Sequence, residues 1–231
     1  MTSQRDSLIS IASHIVRGDY DRTIALLTEY LTTLRAEVVK RMGEESTMKV
    51  APSLEDPFEV RFAISSMTAS PVTFDSPNSQ KEGCQGRIPI FGQPLVVRCD
   101  LGVTVPPETL SFVAMYNLAL AYQLKYSHEE IRDISNLRKA ADLYKCSQEV
   151  VLNQSVELSA IHLFTLLTNL ASAQEAMWGK EEGRLCLGHA LPIYMLMVHS
   201  GDEKELPQAI RRFLRSVLPL LLPDPEIASA A

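Results

Sequence analysis

The sequence lacks a stretch of about 18 uninterrupted apolar residues, the length that a membrane-spanning helix needs. The nearest candidate, residues 110–124, is shorter and contains Asn117. The first residues also lack a cationic start followed by a long apolar run, which is the pattern of a secretory signal. These absences predict a soluble protein with no stable membrane insertion, located inside the cell in the cytoplasm or the nucleus.

Basic residues and cysteines are also scarce. The 22 Lys and Arg residues are outnumbered by 28 Asp and Glu residues, so the net charge is -6. A protein that binds a phosphate backbone normally has a basic surface, so this charge predicts no nucleic-acid partner. The four cysteines, at positions 84, 99, 146 and 186, include no C-x-x-C pair. Their spacing gives no disulfide framework and predicts reduced thiols in an intracellular protein.

Motifs that carry catalysis or metal binding are missing or incomplete. No G-x-S-x-G sequence marks an activated serine, and residues 83–86 are not followed by the Gly-Lys-Ser/Thr of a phosphate-binding loop. The sequence HEEIR has Arg132 where the H-E-x-x-H zinc motif requires histidine. Cys186 and His189 could form half of a metal site, but no third ligand stands at a spacing that completes it. We therefore predict no catalytic residue, no cofactor and no metal.

Apolar residues recur at helical spacing through most of the chain. The pattern predicts helices over residues 6–17, 20–40, 108–125, 136–153, 157–178, 180–199 and 206–222. Pro192 should kink or split the helix over 180–199, because proline disrupts a helix interior. Trp178, the only tryptophan, stands at a predicted helix end and is assigned to the core.

Residues 43–106 have a different character, because proline and glycine are dense there. Alternating apolar residues from Phe58 to Ile64 predict a strand. The sequence RIPIFGQPLVVR predicts two short extended pieces, and residues 68–86 predict a mobile loop. The region has too few apolar residues for a core of its own, so we interpret it as a β-containing insertion.

One pattern, F-x-x-[ML]-x-N-L-A-x-A, occurs twice without a gap, at residues 112–121 and 164–173. Each copy lies on a predicted helix that opens a helical hairpin. Its small alanines would let a second helix approach closely, while the larger apolar residues would fill the gaps between neighbouring hairpins. The repeated pattern therefore predicts a stack of hairpins.

These residues resemble the tetratricopeptide repeat (TPR), a helix-turn-helix of roughly 34 residues. The matching positions are Leu118, Ala119 and Tyr122 in a first helix, Gly18 and Tyr20 in a turn, and Ala140 and Tyr144 in a second helix. The two copies stand further apart than one standard repeat, and no helix pair ends in the usual proline. The order of the elements also resembles a TPR-like group in diatoms and related algae.

The resemblance implies a mainly α fold: a TPR-like stack of three helical hairpins plus a C-terminal capping helix, with the small β-containing insertion. We expect a single domain over residues 1–231, with 43–106 as the insertion and 223–231 as a disordered tail. In TPR proteins the first helices line a concave groove. The groove residues here would be Tyr116, Asn117, Leu120, Gln123, Thr168, Asn169, Ser172 and Glu175.

Two groove residues could do more than pack. Asn117 and Asn169 could hydrogen-bond an extended peptide backbone, or each could equally tie its own helix to a neighbouring one. The first helices carry almost no basic residues, so the carboxylate clamp of the TPR family is absent. An acidic C-terminal peptide is therefore not the expected ligand.

The sequence favours a non-enzymatic interaction module or scaffold that binds a protein or peptide partner through a helical-repeat surface. One alternative is a small enzyme with a site between the insertion and the helices, where four residues could converge: Cys84, Arg98, Cys99 and Asp100. Another is a membrane-peripheral adaptor that uses the basic amphipathic helix over 206–222, with Arg211 and Arg215. In a repeat stack such a helix more often closes the exposed apolar end, and we favour that role.

Overall fold

A computed structural model describes residues 4–45, 62–66, 88–99, 105–154, 159–200 and 208–221. Within these ranges the chain forms eight helices and two strands. In chain order they are α1 (Gln4–Val16), α2 (Tyr20–Glu45), β1 (Phe62–Ser66), β2 (Leu95–Cys99), α3 (Pro107–His128), α4 (Ile134–Gln154), α5 (Ala160–Trp178), α6 (Lys180–Gly188), α7 (Leu191–Ser200) and α8 (Gln208–Leu221). The predicted mainly α fold with a small β element is confirmed.

From α1 to α6, each helix packs against the next helix in the chain. α1 contacts α2, α3 contacts α4, and α5 contacts α6, while α2 and α4 join each pair to the next. The first helices α1, α3 and α5 also contact one another in that order. A single apolar core runs through all of these contacts. The first helices therefore lie side by side and present one common face.

The repeated pattern supplies the packing surfaces of α3 and α5. Phe112 and Phe164 are completely buried, and so are the alanines of both copies: Ala119, Ala121, Ala171 and Ala173. Small buried side chains let neighbouring helices approach closely, and the large rings fill the remaining space. The predicted packing role of the repeat is confirmed.

The predicted helix over residues 180–199 is split. α6 ends at Gly188, and α7 begins at Leu191 with Pro192 in its first turn. Proline has no N–H and is best accommodated in the first turn of a helix, so a new helix that starts at Leu191 suits Pro192. The split predicted at Pro192 is confirmed.

The last helix lies against the preceding hairpin. α8 contacts α6, and its Leu214 and Val217 are buried while Arg211 and Arg215 are exposed. This is the arrangement expected of a helix that closes an apolar end, because the apolar side chains face protein. No helix in the described part of the chain is long and apolar enough to cross a membrane.

The insertion contributes a two-stranded antiparallel sheet. β1 pairs with β2, with Ile64 opposite Val97. β2 contacts α1 and α3, so the insertion is folded onto the common face of the first helices. The predicted strand starting at Phe58 is seen only from Phe62, since 58–61 lie outside the described residues, as do the predicted loop at 68–86 and the predicted tail at 223–231.

Candidate functional site

The predicted groove residues lie on α3 and α5 but do not line an open groove. Seven of the eight are buried, and only Glu175 is half-buried. The reason is that residues 88–97 lie across both helices and cover them. These residues are here called the cis segment, because they bind the helices of their own chain. A segment of the same chain therefore occupies the place predicted for a partner, and the groove residues are covered by it.

Asn117 binds the cis segment through both ends of its side-chain amide. Its Oδ1 accepts a hydrogen bond from the Leu95 N–H at 2.8 Å, and its Nδ2 donates to the Leu95 C=O at 2.8 Å. Asn117 is completely buried. The amide therefore satisfies both backbone groups of one residue, away from water.

Asn169 repeats this arrangement on the next first helix. Its Oδ1 accepts from the Phe91 N–H at 2.7 Å, and its Nδ2 donates to the Phe91 C=O at 3.2 Å. Asn117 and Asn169 occupy the same position in the two copies of the repeated pattern. The two copies of the pattern thus bind the same segment in the same way. Each asparagine that bonds the N–H and C=O of one residue is here called a clamp. Both asparagines bind a backbone segment of the chain itself, and Asn169 also ties α5 to neighbouring helices through Tyr116 on α3 and Tyr144 on α4.

A third pair of contacts holds the N-terminal end of the cis segment. Glu175 accepts a hydrogen bond from the Ile88 N–H at 2.7 Å, and the Ser172 hydroxyl donates to the Ile88 C=O at 3.0 Å. Between described residues, no backbone–backbone hydrogen bond involves 88–94. This stretch is therefore held by side chains of the helices, in the way that a bound peptide is held.

The side chains of the cis segment fill the groove. Four of them are buried in the common core: Ile88, Phe91, Leu95 and Val97. Pro89, Ile90, Gly92 and Gln93 are only half-buried. The asparagine clamps recognise backbone groups, which every non-proline residue has, so the buried side chains supply the sequence preference of the groove.

A buried polar network fixes the orientation of Asn169. Its Nδ2 also lies 3.2 Å from the Tyr116 hydroxyl and 3.3 Å from the Tyr144 hydroxyl. Tyr144 donates to Gln123 Oε1 at 3.0 Å, and Gln123 Nε2 donates back to the Asn169 C=O at 3.1 Å. Burial raises the pKa of both tyrosines, so both hydroxyls stay protonated. Tyr116 and Gln123 were predicted to line the groove, but they position the clamp instead.

The other two predicted groove residues have packing roles. Leu120 is completely buried, and the Thr168 hydroxyl donates to the Phe164 C=O of its own helix at 2.8 Å. Sequence reasoning missed Tyr144 as part of the site because its signal, a tyrosine at a TPR-like second-helix position, indicated packing only. It also missed the cis segment, whose contacts join residues far apart in the chain.

A separate cavity of about 540 Å³ lies between α4, α5 and α6. Trp178 lines it and is 54% exposed, so its assignment to the core is wrong. Trp178 is the last residue of α5, and Gly179 follows with φ of 112°, where the chain turns into α6. The ring is therefore largely exposed where it lines the cavity.

Cys186 and His189, the predicted half of a metal site, line the same cavity. Burial raises the pKa of the Cys186 thiol to about 11, so the thiol is protonated near neutral pH. Among the residues that the structure describes, no group of three or more His, Cys, Asp or Glu side chains is placed to hold a metal ion.

One serine and histidine pair resembles part of a nucleophilic site. Ser159 Oγ lies 2.6 Å from His162 Nδ1 at the start of α5, and burial lowers the pKa of His162 to about 4. The described residues place no carboxylate on this imidazole, so the third member of a triad is missing. Of the residues proposed for an enzyme site, Arg98 and Cys99 belong to β2, while Cys84 and Asp100 lie outside the described residues.

No protein-family model, no curated protein and no solved structure matches this chain. Nothing in these comparisons or in the described residues points to an enzymatic activity.

Proposed function

We propose that this protein is a non-enzymatic, TPR-like interaction module whose first helices bind an extended segment of a protein partner. The observation that supports the proposal most is the pair of clamps, in which Asn117 and Asn169 each bind the N–H and C=O of one residue. Helical-repeat proteins commonly use such a row of helices as a binding surface for peptides. The groove therefore serves a partner by the same contacts that now hold the cis segment.

The chemistry of the groove favours a neutral, apolar partner segment. Its polar groups are two amides, the Ser172 hydroxyl and the Glu175 carboxylate, which all contact backbone groups. No lysine or arginine takes part in these contacts, so an acidic peptide gains nothing from them. The net charge of -6 further disfavours a nucleic acid as the partner.

The proposal is tested with a synthetic peptide that has the sequence of residues 86–98. A photo-crosslinking residue replaces Ile90, whose side chain is only half-buried in the cis segment. The peptide is offered to the full chain carrying Phe91→Ala, which weakens the cis segment by removing a buried ring. We expect crosslinks, located by mass spectrometry, on α3 and α5.

Two controls accompany this experiment. A scrambled peptide of the same composition should give no crosslinks on α3 or α5, and circular dichroism must show that the variant chain keeps its helices. Crosslinks confined to other helices, or none at all on a folded variant, would disprove binding in the groove.

A further inference from the structure

The cis segment presents the groove with a defined series of side chains. Ile88, Phe91 and Leu95 are buried and point into the core shared with the helices. The residues between them are half-buried, apart from Pro94. A segment that fits the groove therefore carries a branched aliphatic residue, a phenylalanine three positions later and a leucine four positions after that.

Among the described residues, the backbone of the cis segment up to Pro94 is bound by side chains of the groove, with no backbone–backbone hydrogen bond. At residues 88, 91 and 95 the peptide groups are matched by side chains of α3 and α5. In the described part of the sheet, pairing with β1 runs from Leu95 to Cys99. A segment of another protein with the same side-chain series could form every one of these contacts.

Resting on the proposed function, we infer that the cis segment is a built-in competitor of the partner, and that the partner segment carries the same series of Ile or Val, Phe and Leu. Both occupants need the same two asparagine clamps, so they exclude each other. The apparent affinity for a partner is the intrinsic affinity multiplied by the fraction of molecules whose groove is free. A tethered occupant is a strong competitor because its effective concentration reaches the millimolar range.

Variants of Asn117 or Asn169 cannot test this competition. Each change weakens the cis segment and the partner by a similar factor, and the two losses cancel while the groove is mostly occupied in cis. Substitutions in the cis segment or in the added peptide do test it, because each changes only one of the two competitors. Phe91 and Ile88 are suitable positions because their side chains are buried in the groove.

The experiment measures fluorescence anisotropy of a fluorescein-labelled peptide with the sequence of residues 86–98. It compares the full wild-type chain with Phe91→Ala, Ile88→Ala and Gln93→Ala. We expect Phe91→Ala to bind the peptide at least about tenfold more tightly than wild type, and Ile88→Ala to lie between them. Gln93 is only half-buried, so its variant is the matched control and should bind like wild type.

A second series keeps the Phe91→Ala chain and changes the peptide. Alanine at the position of Phe91 in the peptide should weaken binding at least about tenfold, whereas alanine at the position of Gln93 should leave it unchanged. If Phe91→Ala unfolds the chain, the peptide affinities of Ile88→Ala and wild type are compared instead, and tighter binding by Ile88→Ala supports the competition.

The outcomes separate the two ideas. Equal peptide affinity for wild type and for the folded variants overturns the competition but leaves groove binding intact. A peptide that binds equally well without its phenylalanine overturns the side-chain series. A folded variant that binds no peptide overturns the proposed function itself.

Discussion

At the scale of single residues, the side-chain amide of asparagine explains why the groove can hold a backbone without water. The amide has one donor side and one acceptor side, as a peptide group does. Asn117 and Asn169 are completely buried, yet their amides are paired with the backbone of the cis segment. Burial of these polar groups therefore costs little, because each finds a partner.

Removing either clamp should destabilise the protein, and Asn169→Ala should do so more than Asn117→Ala. Among the described residues Asn117 bonds Leu95 alone, whereas Asn169 bonds Phe91 and two tyrosine hydroxyls. We expect losses in the free energy of unfolding of about 2 kcal/mol for Asn117→Ala and about 4 kcal/mol for Asn169→Ala. Urea denaturation followed by circular dichroism measures both values.

The control for the clamp variants is Asn153→Ala. Asn153 is exposed on α4, so its replacement should change the free energy of unfolding by no more than about 0.5 kcal/mol. Equal losses for the two buried asparagines would show that the tyrosine network adds nothing to the clamp at Asn169.

His162 should make the protein less stable in mild acid. Burial lowers its pKa from the usual 6.5 to about 4, so between these values the unfolded chain binds a proton that the folded chain does not. The stability present above pH 6.5 is therefore lost as the pH falls towards 4. At pH 5 the loss from this residue is about 2 kcal/mol.

The variant His162→Gln isolates this effect, because glutamine does not titrate. Urea denaturation at pH 8 and pH 5 should show a smaller loss of stability for the variant than for wild type. The same loss in both chains would mean that His162 is not the group responsible.

At the scale of elements, the close packing of α6 against α5 depends on a glycine within α6. A Cβ at Gly183 would lie 2.5 Å from Glu175 Cβ and 3.1 Å from Ile88 Cδ1. α6 thus crosses α5 closely at the point where Glu175 holds the N-terminal end of the cis segment. The packing of the hairpin and the seating of the segment are therefore coupled at this position.

Gly183→Ala should destabilise the protein, by about 2 kcal/mol, because the added methyl group forces the two helices apart. Gly188 is the matched control. It lies exposed in the same helix, and an added Cβ there meets nothing within 4 Å. Gly188→Ala should leave stability unchanged or raise it by up to about 1 kcal/mol, since alanine favours a helix. Thermal or urea denaturation of both variants measures these changes in stability. An unchanged stability of Gly183→Ala would contradict the close crossing of α5 and α6.

At the scale of the whole molecule, the insertion is part of the core. The cis segment contacts α5 at Ile88 and Phe91 and α3 at Leu95, and β2 continues onto α1. One stretch of chain thus connects all three first helices in the reverse of their sequence order. The insertion has too few apolar residues for a core of its own. Its apolar side chains are buried instead in the core that the helices form.

The helices and the repeated pattern could be predicted because their signals are local. Apolar periodicity located the seven predicted helical regions, and Pro192 marked the split between α6 and α7. The exposure of Trp178 could not be predicted, because it depends on where α6 turns after Gly179 and not on the residues beside the ring.

The mainly α fold, the two equivalent asparagines and their place on the first helices can be predicted from short stretches of sequence, because helix periodicity and a repeated pattern act over short distances. The groups that the asparagines bind depend on how distant parts of the chain pack together. Phe91 and Asn169 are 78 residues apart, and their pairing follows from how three hairpins and an insertion share one core. Such a contact depends on packing across the whole chain, and no short stretch of sequence encodes it.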